Sequence, residues 1–162
     1  MQTTFANGLS PSFYGKQIRS GVPAYDNNGG IRTVGGLIAS TNTNPALFGC
    51  ALYGTTTDPD LFLVGSGTGV FRGILLNRNY INEQLPGHAD RLLNGQPADA
   101  IYHGAVWVTL ANETNAVVGA TVYALADGTL TCNSAATGAV AIPAKVKSID
   151  TENKLYLIMV ED

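Results

Sequence analysis

From Ala100 to Leu130 two runs rich in apolar and β-branched residues, Ala100 to Leu110 and Val117 to Leu130, flank a short polar link and read as strands whose side chains alternate between two faces. Val106, Val108 and Leu110 fall on one side of the first run, and Ala105, Trp107 and Thr109 on the other. In the second run Thr121, Tyr123 and Leu125 alternate with Val122 and Ala124. Asp127-Gly128 then supplies a dipeptide that accepts positive φ, predicting a tight hairpin that returns through Thr129 to Cys132. Trp107, the single tryptophan, together with Val106, Val108 and Tyr123, is the expected packing centre.

The rest of the pattern is also β. Leu47 to Tyr53 predicts a strand with Phe48, Cys50 and Leu52 on one face, and the continuous apolar run Leu61 to Val64 predicts one buried on both sides. Val70 to Leu76 resumes as a strand. Ala141 to Ile149 alternates with Lys145 and Lys147 on the wet face, and after a turn at Asp150 to Lys154 the run Leu155 to Val160 is apolar on both faces, as in the middle of a sheet. Helical turns are expected only around His88 to Leu93, stopped by Asn94-Gly95 and Pro97. Roughly eight strands at this spacing predict an all-β chain, a compact β-sandwich or barrel-like domain.

Residues 1–44 have a different texture. Gly, Ser, Thr and Asn dominate, hydrophobic residues come singly, and Asn27 to Gly30 and Gly35-Gly36 read as turns. Such a segment has too little apolar periodicity to hold its own core. It is either a meandering loop packed on its own domain or an extended, loop-rich N-terminal arm beside a domain of residues 45–162. The spaced aromatics favour the arm, with Phe5, Phe13 and Tyr14 as anchors on a partner.

Composition narrows the function classes. The chain has 162 residues, enough for one domain with a real core, yet only 13% are charged, against roughly 25% in ordinary globular domains. A formal charge of −3 with scattered basic residues gives no footprint for nucleic acid. No run approaches the ~20 apolar residues of a membrane helix, and the N-terminus lacks the basic and apolar regions of a signal peptide, so synthesis in a cytoplasm is expected. The sequon Asn112-Glu113-Thr114 is then a chance match. Cys50 and Cys132 sit among apolar or small residues at no metal-like spacing, which fits buried free thiols better than a disulfide.

Candidate chemistry is sparse. Gly65 to Gly69 is glycine-rich, but a phosphate-binding loop needs a following Gly-Lys-Ser/Thr and a helix, whereas Val70 to Ile74 reads as a strand. His88, with Asp90 nearby, and His103 have no nucleophile elbow and no His or Cys partner at ligand spacing. Glu83, Asp90, Asp99 and Glu113 read as solvated loop carboxylates. No catalytic, cofactor-binding or metal site is expected, and Trp107 and Tyr123 read as packing residues rather than a stacking platform.

The run from Phe62 through Val64-Gly65-Ser66-Gly67-Thr68-Gly69 and Phe71-Arg72-Gly73-Ile74-Leu75-Leu76-Asn77 resembles the segment "VG-G-G-F-GILVN" in head cement, or decoration, proteins of tailed bacteriophages. Gly104 to Val108, Gly119 to Ala124, Asp127 to Leu130 and Ile142 to Lys145 continue the likeness in the same order, from about residue 61 to the C-terminus. The resemblance implies a non-enzymatic virion protein that binds the outside of the capsid and stabilises it. It also implies the major capsid protein as partner, a homo-oligomer (dimer or trimer) at a capsid symmetry axis, no nucleic acid or membrane partner, and no cofactor. The competing classes are a receptor- or glycan-binding virion or tail protein, which should expose several aromatics on one face, and a small β-barrel enzyme, which lacks a paired nucleophile and base.

Overall fold

The computed structural model describes residues 20–24, 30–65, 69–77, 90–111 and 114–161. The chain is all-β, and among the described residues there is no helix. The described residues form twelve strands: β1 (Val22–Ala24), β2 (Arg32–Ile38), β3 (Ala46–Leu47), β4 (Ala51–Gly54), β5 (Leu61–Val64), β6 (Phe71–Leu75), β7 (Arg91–Leu92), β8 (Pro97–Val108), β9 (Thr121–Ala124), β10 (Leu130–Thr131), β11 (Val140–Asp150) and β12 (Leu155–Val160).

Five of them close a barrel in the order β8-β2-β5-β4-β6 and back to β8. The remaining large sheet runs β1-β8-β12-β11-β9-β10 and is antiparallel throughout. Strand β8 belongs to both. Its first half pairs with β2 as far as His103, and from Gly104 onward it pairs with β12. Gly104 has φ of 121°, and a Cβ there would press on Ile31 and on the Gly30 carbonyl. Only glycine lets the strand leave the barrel and enter the sheet at that point.

Alternation then builds three apolar layers. Ile38, Leu52, Phe62, Val64, Leu75 and Ala100 fill the barrel. The opposite faces of β4 and β6, carrying Ala51, Tyr53 and Ile74, pack on the inner face of the sheet. That inner face consists of Val106 and Val108, Val122 and Ala124, Ile142, Ala144 and Val146, and Tyr156, Ile158 and Val160. A smaller cluster, Ala24, Ala105, Trp107, Leu155 and Leu157 with Met159 against it, lies on the other face of the sheet. Apolar residues on both faces of β8 and β12 explain why those strands sit in the middle of the sheet.

Several expectations are corrected. Residues 30–44 are not part of an arm: β2 is a wall of the barrel, and Ile38 and Ala39 are fully buried. Gly35-Gly36 is no turn but the middle of β2, where a Cβ on Gly36 would strike the ring of Phe62 and the Asp60 carbonyl. The expected helical turn fails in its described part, since Arg91–Leu92 pairs with Ala46–Leu47 as a two-stranded sheet. The span Leu47 to Tyr53 is broken between β3 and β4, and Leu61–Val64 is buried on alternate residues only, because β5 shows one face to the rim. The sequon residues Asn112 and Glu113, the anchors Phe5, Phe13 and Tyr14, and His88 and Glu83 lie outside the described residues.

Candidate interaction surface

The hairpin predicted at Asp127 forms the seam between barrel and sheet. Leu125 N donates to the Thr129 carbonyl and Gly128 N to the Leu125 carbonyl, so three residues make the loop, with Gly128 at φ of 84° in the last position. This is the geometry that glycine favours in a three-residue hairpin. Asp127 Oδ1 accepts from Thr129 N at 3.0 Å and from Thr129 Oγ1 at 2.6 Å. Those bonds favour the carboxylate and hold its pKa below the usual value. Asn44 clamps the turn to the barrel, its Nδ2 donating to the Ala126 carbonyl at 3.0 Å and to the Val64 carbonyl at 3.2 Å. Asn42 Oδ1 accepts from Val64 N at 3.0 Å alongside. Gly65, the first residue of the glycine-rich stretch, lies so close to the Ala126 carbonyl that a Cβ would overlap it. Residues 66–68 are outside the described residues; its described start is a packing contact.

Beside this seam is a half-open cavity of about 120 Å³. Buried Cys50, Leu110 and Leu130 form its inner wall, half-buried Leu47 and Phe48 its side, and exposed Pro45, Thr109 and Asp127 its mouth. Ser20 lines it too, and its hydroxyl accepts from Thr109 N at 3.3 Å. Burial pushes the Cys50 thiol up to about 12, with the Asp127 carboxylate adding to the rise. A thiol so held is a packing group and not a nucleophile. Cys50 and Cys132 are both buried and free, as expected.

The predicted packing residues divide. Val106 and Val108 are completely buried between barrel and sheet, and Trp107, 3% exposed, is buried on the opposite face. Tyr123 is only half-buried, and the core of β9 is Val122 and Ala124, because alternation turns Tyr123 to the outer face beside exposed Ala141. His103 is half-buried in the bend of β8, with Nδ1 buried and no hydrogen-bond partner among the described residues. Asp90 pairs with its neighbour Arg91 at 2.9 Å. Among the described residues no group of three His, Cys, Asp or Glu side chains is placed to hold a metal.

The sequence reading missed the cavity, whose walls come from four separate stretches of ordinary strand and turn residues. It also missed two adjacent exposed valines. Val117 and Val118 are 61% and 67% exposed on a turn pinned to β11, with Gly119 N donating to the Val146 carbonyl and Val146 N to the Ala120 carbonyl.

Comparison with known proteins places this architecture. The profile of a family described as "Structural cement protein (E217 gp24/Pam3 gp6)" matches residues 9–160. Among solved structures, a chain from "The capsid of Myoviridae Phage XM1" superposes with a TM-score of 0.65, at 16% identity over 90% of this chain and 91% of that one. No curated protein matches. At that identity the XM1 chain shares the fold, and the profile match carries the relationship over nearly the whole chain: the protein belongs to the phage structural cement protein family.

Proposed function

We propose that this chain binds the outer surface of a tailed-phage capsid shell and stabilises it without catalysing a reaction. The family match across residues 9–160 carries this reading. Two features are consistent with it. The barrel and sheet share β8 and a common core, giving a stiff body able to bridge neighbouring subunits. The apolar knuckle Val117-Val118 is presented from a pinned turn, as a contact surface requires. The partner in this reading is the major capsid protein. The protein acts as a homo-oligomer, dimer or trimer, on a capsid symmetry axis, with Phe5, Phe13 and Tyr14 as additional capsid contacts. Many copies on one shell allow contacts of modest area, ~1,000 Å² or less, to sum to a large mechanical effect.

Electron microscopy of virions with and without the protein tests the reading, paired with the temperature at which shells release their genome. Density on the outer shell that disappears with the protein, together with earlier rupture on heating, is expected. Intact shells of unchanged heat resistance and no lost outer density would refute it.

A further inference from the structure

The cavity at the seam combines features that select an occupant. Its inner wall is apolar, formed by Cys50, Leu110 and Leu130, with Leu47 at the side. Its mouth carries one carboxylate, and no basic side chain lines it among the described residues. Asp127 Oδ1 is engaged by Thr129, so the turn fixes the carboxylate in place whatever binds beside it. At about 120 Å³ the cavity is well below the roughly 300–1,000 Å³ of pockets for drug-sized ligands, and it has room for a single side chain. An anionic group would be repelled by Asp127. A purely apolar one would bring that charge out of water with nothing to pair it. A bare cation would find only one carboxylate, with the hydroxyl residues Ser20, Thr109 and Thr129 and otherwise apolar walls.

We propose that this cavity is a socket for one lysine or arginine side chain presented by the shell protein, its aliphatic stem on Leu47, Leu110 and Leu130 and its cation at the Asp127 carboxylate. Long basic side chains have this divided character, an apolar stem ending in a charge. The chain's own net charge of −3 suits a basic partner surface. The socket draws its walls from the barrel side through Phe48 and Cys50 and from the sheet side through Leu110 and Leu130, so a seated side chain touches both layers. This inference rests on the capsid-binding reading above.

The test uses the full chain and shells purified without it, with co-sedimentation measured across a salt series. Asp127→Asn removes the charge while leaving an amide oxygen to accept from Thr129. Ala111→Trp instead crowds the mouth from an exposed position that takes no part in the Asp127 turn bonds. Asp150→Asn is the control, the same charge change at another carboxylate-capped turn that does not line the cavity. Asp127→Asn should weaken binding on the order of tenfold and flatten its salt dependence. Ala111→Trp should weaken binding as well, and Asp150→Asn should match the parent. Should Asp127→Asn lower the melting temperature of the free protein, the Ala111→Trp result decides. If the parent binds shells and both cavity variants bind as tightly with an unchanged salt slope, the socket is wrong while the capsid-binding reading stands. If the parent itself fails to bind, that reading falls and the socket with it.

Discussion

Trp107 and Tyr123 point to the same face of the same sheet, yet the structure gives them different weights, and a pair of alanine variants measures the difference. Trp107 is 3% exposed, with Leu157 directly across on β12 and Ala105 and Leu155 around it. Burying an aromatic of this size removes about 150–250 Å² from water, ~4–6 kcal/mol at 25 cal/mol/Å². Alanine keeps part of that, and neighbours close part of the gap, so Trp107→Ala should cost about 3–5 kcal/mol. For a chain of this length each kcal/mol moves the melting midpoint by roughly 2–4 °C, giving a fall of about 6–20 °C. Tyr123, half-buried at the wetter end of the sheet, should cost only about 1–1.5 kcal/mol, a fall of ~2–6 °C. Thermal unfolding of the parent and both variants, followed by circular dichroism, checks the ranking. If Trp107→Ala melts within a degree or two of the parent, or Tyr123→Ala costs as much, the outer cluster around Trp107 and Leu157 is not the packed layer described.

Further outcomes follow from the seam and the thiols. Gly65→Val should destabilise by more than about 2 kcal/mol, since its Cβ would overlap the Ala126 carbonyl at a φ of 114° that valine avoids; an unchanged denaturant midpoint would exclude that close approach. Asn44→Ala, which releases two carbonyls from one amide, should cost about 1–3 kcal/mol by the same measurement. Cys50 is neutral in the folded state up to about 12, whereas the unfolded chain ionises near 9.0, so its contribution is complete below 9 and is lost as pH rises toward 12. The melting temperature should therefore decline through that window, and Cys50→Ala should flatten the decline; an equally steep decline in the variant would remove Cys50 as its cause.

The features visible in the sequence were those made by neighbours along the chain. Strand β9, the turn at Asp127-Gly128, and the lysines of β11 standing outside Ile142, Ala144 and Val146 all follow from period-two alternation and turn chemistry. Strand β2 was hidden because Gly35-Gly36 carries no side chains to show a period, and the glycines are there for close approach to Phe62 rather than for a turn. Arg91–Leu92 looked helical because two residues are too few to show any period, and their partner Ala46–Leu47 is far away in sequence. Barrel closure by β6 and β8, and the cavity beside the seam, depend on pairings between distant strands that no local pattern encodes. Tyr123 was misjudged for a related reason: alternation gives the faces of a strand but does not say which face meets the barrel.

The shared strand has a mechanical consequence. Since β8 runs unbroken from Pro97 to Val108 through both sheets, barrel and sheet cannot separate without bending it at Gly104 and opening the core between them. The clamp of Asn44 across Val64 and Ala126 resists the same motion at the other side of the interface, next to the cavity. Loads entering at the Val117-Val118 turn reach β11 through two backbone hydrogen bonds, then β12 and β8 through continuous antiparallel pairing. A partner seated in the cavity would touch both layers where the clamp joins them. Its binding energy would then add to the cost of opening the seam, since a ligand that binds only the closed form stabilises it. On that proposal attachment and stiffness are coupled: a copy held on a shell through the cavity would resist unfolding more than a free one, and loosening the seam would loosen the hold.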